Sequence, residues 1–429
     1  MRFTLPRGMR DVEPEQYSLL EKIRSTFYEV CRIFDFRLME PSPIELLETL
    51  EAKSGPAVRD EIYYFRDKAG REIGLRFDLT VGLTRYVCLR RGIQLPAKLA
   101  TFSDMWRYDE PQYGRFRWFY QWDVEIFGSP SVQADAEIIE FTSMLFEKLG
   151  LREVLIQLGD RTLVEQFIKK NLGVSNEGIG LELLRALDKV GKKPLSEIMK
   201  EYSGKGVKEE HLSKLGDFGR IRGNAEVVFR NLRDLDLSAF ESLRDLIDTL
   251  KSRSVRNVEL NMGIVRGLDY YTGIVFETYE KEGTKLGALC GGGRYDSLPA
   301  LFGRPGMAAT GVAGGVERAI IAISKTTAKT DTGELLVFVA YTTPELIEAA
   351  TSVTSTLRKK GISTDFNFAS HNLKKQLQQA SSKDVPYVVI IAPDEYSQGH
   401  VILRDMRSNT QTLVGKGEVA DLIYARLAF

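Results

Sequence analysis

Between Phe102 and Gly128 the chain carries an alternation that few folds can accommodate. Two extended runs, TFSDMWRYDEP and RFRWFYQWDVEIFG, flank a short polar stretch and read as antiparallel strands joined by a long loop. Side chains alternate across a strand, which predicts Arg117, Phe119, Gln121, Asp123 and Glu125 on one face. A half-buried strand normally turns an apolar face to the core. This one presents a cation, a ring, an amide and two acids, and an unpaired buried charge costs on the order of several kcal/mol. The face therefore reads as the floor of a site for a polar ligand with a flat part; the alternative is an exposed, salt-bridged sheet surface. Arg107 and Arg115 add cations beside it.

The surrounding chain is long enough for two or three domains, at 429 residues. Lys plus Arg and Asp plus Glu both number 59, so a polybasic nucleic-acid tail is excluded, although a basic patch on one face is not. No apolar run approaches the roughly 18 residues of a spanning helix. The N-terminal MRFTLPRGMRDVEPE lacks the apolar centre of an export signal, so a cytoplasmic protein is expected. Cys31, Cys88 and Cys290 are far apart and form no C-x-x-C pair, which argues against a disulfide framework or a zinc site. His211, His371 and His400 are the only histidines, and none sits in a triad-like or metal-binding motif. Chemistry must fall to Arg, Asp, Glu, Gln and Tyr.

Periodicity predicts helices over Tyr17–Phe34, from Thr80 to about Arg91 and over Gln133–Leu149. Residues 160–254 are Lys/Glu-rich and read as a helical insertion in a catalytic domain spanning 1–325. Gly-rich strands follow from Val255, and a helix is expected to begin near Gly311. A polar linker over 326–333 precedes a module, 334–429, that alternates strand and helix.

Neither a G-x-x-x-x-G-K-[ST] loop nor a G-x-G-x-x-G turn occurs. The glycines of GGGR, Gly291–Arg294, fit a tight turn or close backbone approach as well as a ligand. RGLDYYTG, Arg266–Gly273, offers a guanidinium and the Tyr271 hydroxyl between glycines. VAGGVERA places Arg318 in the first turns of a helix, where anions are favoured and a guanidinium suits polyphosphate; a surface arginine is the other reading.

Together these segments resemble the three ordered motifs of class II aminoacyl-tRNA synthetases and, within that class, the histidyl-tRNA synthetase family. RGLDYYTG and ALCGGGRYD resemble the stretches peculiar to that family, LPRGMRD (Leu5–Asp11) its N-terminal signature, and LRFDLT from Leu75 its substrate-binding turn. The resemblance spans the chain, and the HIGH and KMSKS motifs of class I synthetases are absent. It implies an α+β catalytic domain with a mainly antiparallel sheet, a helical insertion and a C-terminal α/β anticodon-binding domain.

The activity so implied joins L-histidine to ATP as histidyl-adenylate, then passes the histidyl group to the 3′ end of histidine tRNA. By position, Arg107 would grip the α-phosphate, Phe119 stack on adenine and Arg318 hold the γ-phosphate. Arg266 would take the place of a metal ion at the α-phosphate, and Arg115 would touch phosphate or the tRNA acceptor end. Asp78, Thr80 and Gln121 would hold the ammonium group; Glu125 and Tyr271 would bond the imidazole nitrogens, with Tyr295 lining the pocket. Mg2+ would bridge the outer phosphates, through ligands the resemblance does not identify. Pro41 corresponds to an interface proline, implying a homodimer. Lys189, Lys192 and Lys193 in the insertion are candidate phosphate contacts, a solvated face being the other reading of each, and Gln112 is a candidate contact to the extra 5′ guanosine of histidine tRNA. Asp109 is one methylene shorter than the glutamate of the class-wide motif 2 pattern, and Asp78 one methylene shorter than the glutamate of the bacterial substrate turn. The alternative is the non-catalytic regulatory subunit of ATP phosphoribosyltransferase, which shares the core but usually lacks the C-terminal module.

Overall fold

The structure is a computed structural model that describes residues 3–111, 114–190, 193–202, 204–233, 235, 239–265, 270–281, 286–326, 336–368 and 372–427. The chain divides into two compact units, Met1–Thr330 and Asp331–Phe429. Residues 327–333 of the expected linker, together with Arg266, Gln112 and Lys192, lie outside the described residues.

The first unit is built on a nine-stranded sheet. Its order is Arg37–Leu38, Ala97–Trp106, Trp118–Phe127, Ala309–Gly315, Cys290–Arg294, Ile274–Glu280, Val154–Asp160, Val258–Asn261 and Arg222–Gly223. Among the described residues only the first pair and the Val154–Asp160/Val258–Asn261 pair are parallel; the others run antiparallel, as expected. The two strands anticipated around the 107–117 loop pair in register from Ala97↔Phe127 to Trp106↔Trp118.

Alternation on the Trp118–Phe127 strand separates core from site. Trp122, Val124 and Ile126 face the helices Pro14–Ile33 and Val132–Lys148 and join Leu20, Ile23, Phe27 and Phe141 in the main core. The Trp122 ring lies 5.8 Å from Phe27 and 6.4 Å from Phe141, so truncating any of these rings to alanine should cost about 3–5 kcal/mol. The opposite face carries Gln121, Asp123 and Glu125, which are polar yet buried.

The sequence reading erred after Gly311: Ala309–Gly315 is a strand between two others, and the helix starts at Val316. Glycines are poor strand formers, but here they give way to neighbours. A Cβ on Gly314 would meet the Trp122 ring at 2.3 Å, and one on Gly292 would meet the Gly311 carbonyl at 2.1 Å. The GGGR glycines thus serve close backbone approach within a sheet, and no turn is formed there.

Short helices between Arg161 and Ser252 form the region read as helical, with a two-residue strand at Arg222–Gly223 joining the main sheet. Lys189 and Lys193 there both pair with Glu201. The second unit is a five-stranded sheet ordered Thr364–Phe366, Val337–Tyr341, Tyr387–Ile391, His400–Asp405 and Gln411–Gly415, with helices including Ile347–Lys359 and Leu373–Ser382. Buried Gln376 bonds both the N–H and the carbonyl of Tyr341, at 3.0 and 2.8 Å, pinning helix to strand.

Candidate active site

The polar face of the Trp118–Phe127 strand floors a cleft enclosing about 1050 Å³, part of it open to solvent. Asp78, Thr80, Arg107, Arg115, Phe119, Gln121, Glu125, Tyr271, Tyr295 and Arg318 all line it. Phe119 and Glu125 are six residues apart on one strand, roughly 20 Å, so the floor is long enough for a nucleotide and an amino acid in line.

Arg107 follows the end of its strand. Its guanidinium carbon stands 5.2 Å from the Phe119 ring centroid, and its Nε donates to the Phe77 carbonyl at 2.9 Å. That bond ties it to the LRFDLT turn. Within the turn Asp78 caps the helix Leu79–Leu89, accepting from the Val81 N–H at 3.1 Å. An aspartate is the right length for that bond, which gives the shortened acid a structural reason. Arg318, in the first turn of the helix Val316–Thr326, donates from Nη1 to the Ala288 carbonyl at 2.7 Å. Arg115 is exposed, 3.8 Å from Asp109.

Farther along the strand the site is buried and acidic. The Tyr295 hydroxyl donates to Glu125 Oε2 at 2.7 Å. Gln121 Nε2 donates to Asp123 Oδ1 at 2.8 Å, and Thr80 Oγ1 donates to Asp123 Oδ2 at 3.3 Å. Burial, then the neighbouring charge of Asp123, pushes the Glu125 carboxyl well above its ordinary range, against the pull of Tyr295 and Thr80. Burial and Glu125 likewise raise Tyr295. A ligand bringing an N–H or a positive charge would offset the cost of burying charge on these acids.

Arg117 does not belong to this floor. Regular pairing begins at Trp118, so alternation does not extend back to it; its guanidinium lies over the Tyr108 ring at 3.9 Å and its Nε bonds the Asp109 carbonyl at 3.0 Å. Sequence reasoning also gave LPRGMRD no role. The Arg117 N–H bonds the Gly8 carbonyl at 2.9 Å, and Arg10 sits 4.2 Å over Phe116 while pairing with Glu317 at 3.0 Å. Phe116 and Glu317 both line the cleft, so the N-terminal segment braces its wall. Only the signature itself could have pointed there. Pro41 is buried, and its carbonyl accepts from Arg76 at 2.8 Å.

Two family models divide the chain: one described as histidyl-tRNA synthetase matches residues 8–319, and one described as anticodon binding domain matches 334–426. A synthetase core followed by an anticodon module is the make-up of an aminoacyl-tRNA synthetase. The histidine–tRNA ligase of Pyrobaculum islandicum is 34% identical over 403 residues, covering 94% of each chain. That of Thermococcus kodakarensis is 33% identical over 429 residues, covering 97% of each. The crystal structure of histidyl-tRNA synthetase from Nostoc sp. PCC 7120 superposes with a TM-score of 0.84 at 26% identity, covering 99% of this chain and 100% of that one. The chain belongs to the histidyl-tRNA synthetase family.

Proposed function

We propose that this protein is a histidine–tRNA ligase, activating L-histidine with ATP and transferring the histidyl group to the 3′ end of histidine tRNA. The observation that carries the reading is the single cleft in which Arg107, Phe119 and Arg318 share a floor with Glu125, Tyr271 and Tyr295.

In the first step the substrate carboxylate attacks the α-phosphorus of ATP and pyrophosphate leaves. The carboxylate is already ionised, so no protein nucleophile is required; positioning and neutralisation of phosphate charge do the catalysis. Phe119 stacks on adenine, Arg107 neutralises the α-phosphate and Arg318 the γ-phosphate. Arg266 has a role at the α-phosphate by family position alone. Asp78, Thr80 and Gln121 receive the ammonium group, while Glu125 and Tyr271 bond the imidazole beside Tyr295. Such a pocket leaves its polar groups unpaired with an apolar amino acid, which can give discrimination of about 10⁴.

Asp109 and Glu317 line the cleft together with Arg107, Arg115 and Arg318. No group of three or more metal-ligating acids, histidines or cysteines occurs among the described residues. That donor set fits Mg2+ carried in on the nucleotide, which needs one or two protein carboxylates besides phosphate and water. When bound, the ion would draw charge from the outer phosphates.

The second unit reads the anticodon, and the active form is a homodimer in the cytoplasm. Among the described residues no helix is long and apolar enough to cross a membrane. Histidine-dependent exchange between ATP and pyrophosphate, followed by charging of histidine tRNA, tests the proposal. Folded protein with Mg2+ that shows neither would instead favour the regulatory subunit of ATP phosphoribosyltransferase.

A further inference from the structure

Asp123 is fully buried beneath the cleft floor and does not line it. Each of its carboxylate oxygens accepts from a residue that does: Oδ1 from the Gln121 amide and Oδ2 from the Thr80 hydroxyl. Both oxygens accept, as those of an ionised carboxylate must. The consequence falls on the two donors. A Gln121 amide facing a carboxylate must offer it the NH2 group, which turns its carbonyl oxygen the other way. The Thr80 hydroxyl faces both Asp123 and Glu125, and whichever carboxylate takes its one proton, only lone pairs are left for a ligand. Two neutral side chains are thereby held with acceptor atoms presented and donors withdrawn.

We propose that Asp123 is a positioning residue that fixes the polarity of the ammonium subsite, holding Gln121 and Thr80 as acceptors for the α-ammonium group of the amino acid. This rests on the histidine reading of the cleft given above. Asp78 is a carboxylate that lines the cleft, within reach of any cation that enters. A buried one acting through an amide and a hydroxyl favours a primary ammonium, whose three N–H donors can be shared among fixed acceptors. Removing the Asp123 carboxylate leaves both side chains in place but frees Gln121 to rotate its NH2 donor toward the ligand, while Thr80 keeps only Glu125 to hold its proton.

Asp123→Asn tests this, because it nearly preserves shape while one of its two polar atoms becomes a donor. Histidine affinity and KM should weaken by about ten- to a hundredfold, the scale of a lost hydrogen bond to a charged group. The KM for ATP should move less than about twofold, and so should the weak binding of imidazolepropionate, which lacks the ammonium group. Unchanged histidine affinity would overturn the proposal, as would an equal loss for imidazolepropionate, which would mark a packing defect. Absence of histidine binding by the parent protein would instead remove the reading on which the proposal stands.

Should Asp123→Asn not fold, Gln121→Glu decides the matter. It adds negative charge beside an ammonium site but sets that carboxylate against Asp123. If Asp123 orients position 121, histidine binding weakens; if it does not, the added charge tightens binding and the proposal falls.

Discussion

The Glu125 carboxylate lies against the backbone of Gly311, its partner in the strand register, so closely that a Cβ there would stand 1.4 Å from Oε2. The residue that selects the ligand in our reading is seated in space that another strand leaves empty. Gly311→Ala must expel Glu125 or part the strands, at a cost of at least about 1–3 kcal/mol. We expect histidine-dependent pyrophosphate exchange to fall by more than about a hundredfold, with the far-ultraviolet circular dichroism retained. Normal exchange by the alanine variant would mean that Glu125 is free to sit elsewhere.

Arg318 joins the cleft from a helix start and leans on the Ala288 carbonyl. Replacement by lysine keeps the charge and loses the planar fork. The KM for ATP should rise by about tenfold or more, with the KM for histidine little altered. Steady-state exchange kinetics with each substrate varied in turn would separate the two.

Asp160 gives a pH-dependent outcome away from the cleft. Its carboxyl is buried and pushed up to about 6, chiefly by burial, although it accepts N–H bonds from Thr162 and Leu163 at the helix start. An unfolded aspartate titrates near 3.8, so the folded state holds the proton more tightly. The associated stabilisation is full below 3.8 and is lost as pH rises through about 6. Asp160→Asn keeps an acceptor for the cap and never ionises. It should exceed the parent in stability by roughly 1–3 kcal/mol near pH 8, with a smaller margin near pH 5. Urea unfolding at the two values checks the sign.

Each unit has its own apolar core, the second gathered around Val339, Tyr341, Val389 and Leu403. A chain ending at Thr330 should therefore form histidyl-adenylate at a rate within about threefold of the parent and charge tRNA at least about tenfold more slowly. Equal loss of both activities would contradict the division of labour.

What could be read in the sequence follows from what alternation and helical period report. The Trp118–Phe127 strand was legible because its two faces differ so sharply in polarity, and the long helices because their apolar spacing is regular. The strand at Ala309–Gly315 was not, since ATGVAGG offers few side chains whose alternation could be seen; its identity comes from neighbours on both sides. Arg117 was misplaced because period gives a face but not the residue at which pairing starts. Asp123 was put on the right face without a role, because its partner Thr80 lies 43 positions away and only folding brings the two within bonding distance. Arg10 escaped for the same reason, with 307 positions between it and Glu317.

The glycine strand has a consequence for how readily such an enzyme could be recoded. Glu125 stands opposite Gly311, Gln121 opposite Gly315 and Trp122 opposite Gly314, so long side chains on one strand are matched by bare backbone on the next. Changing which amino acid is accepted would require compensating exchanges on both strands, and at Gly311 and Gly314 a single step passes through a steric collision. Mutational drift toward a new specificity should be slow for that reason, and engineering libraries confined to one strand should return few functional variants.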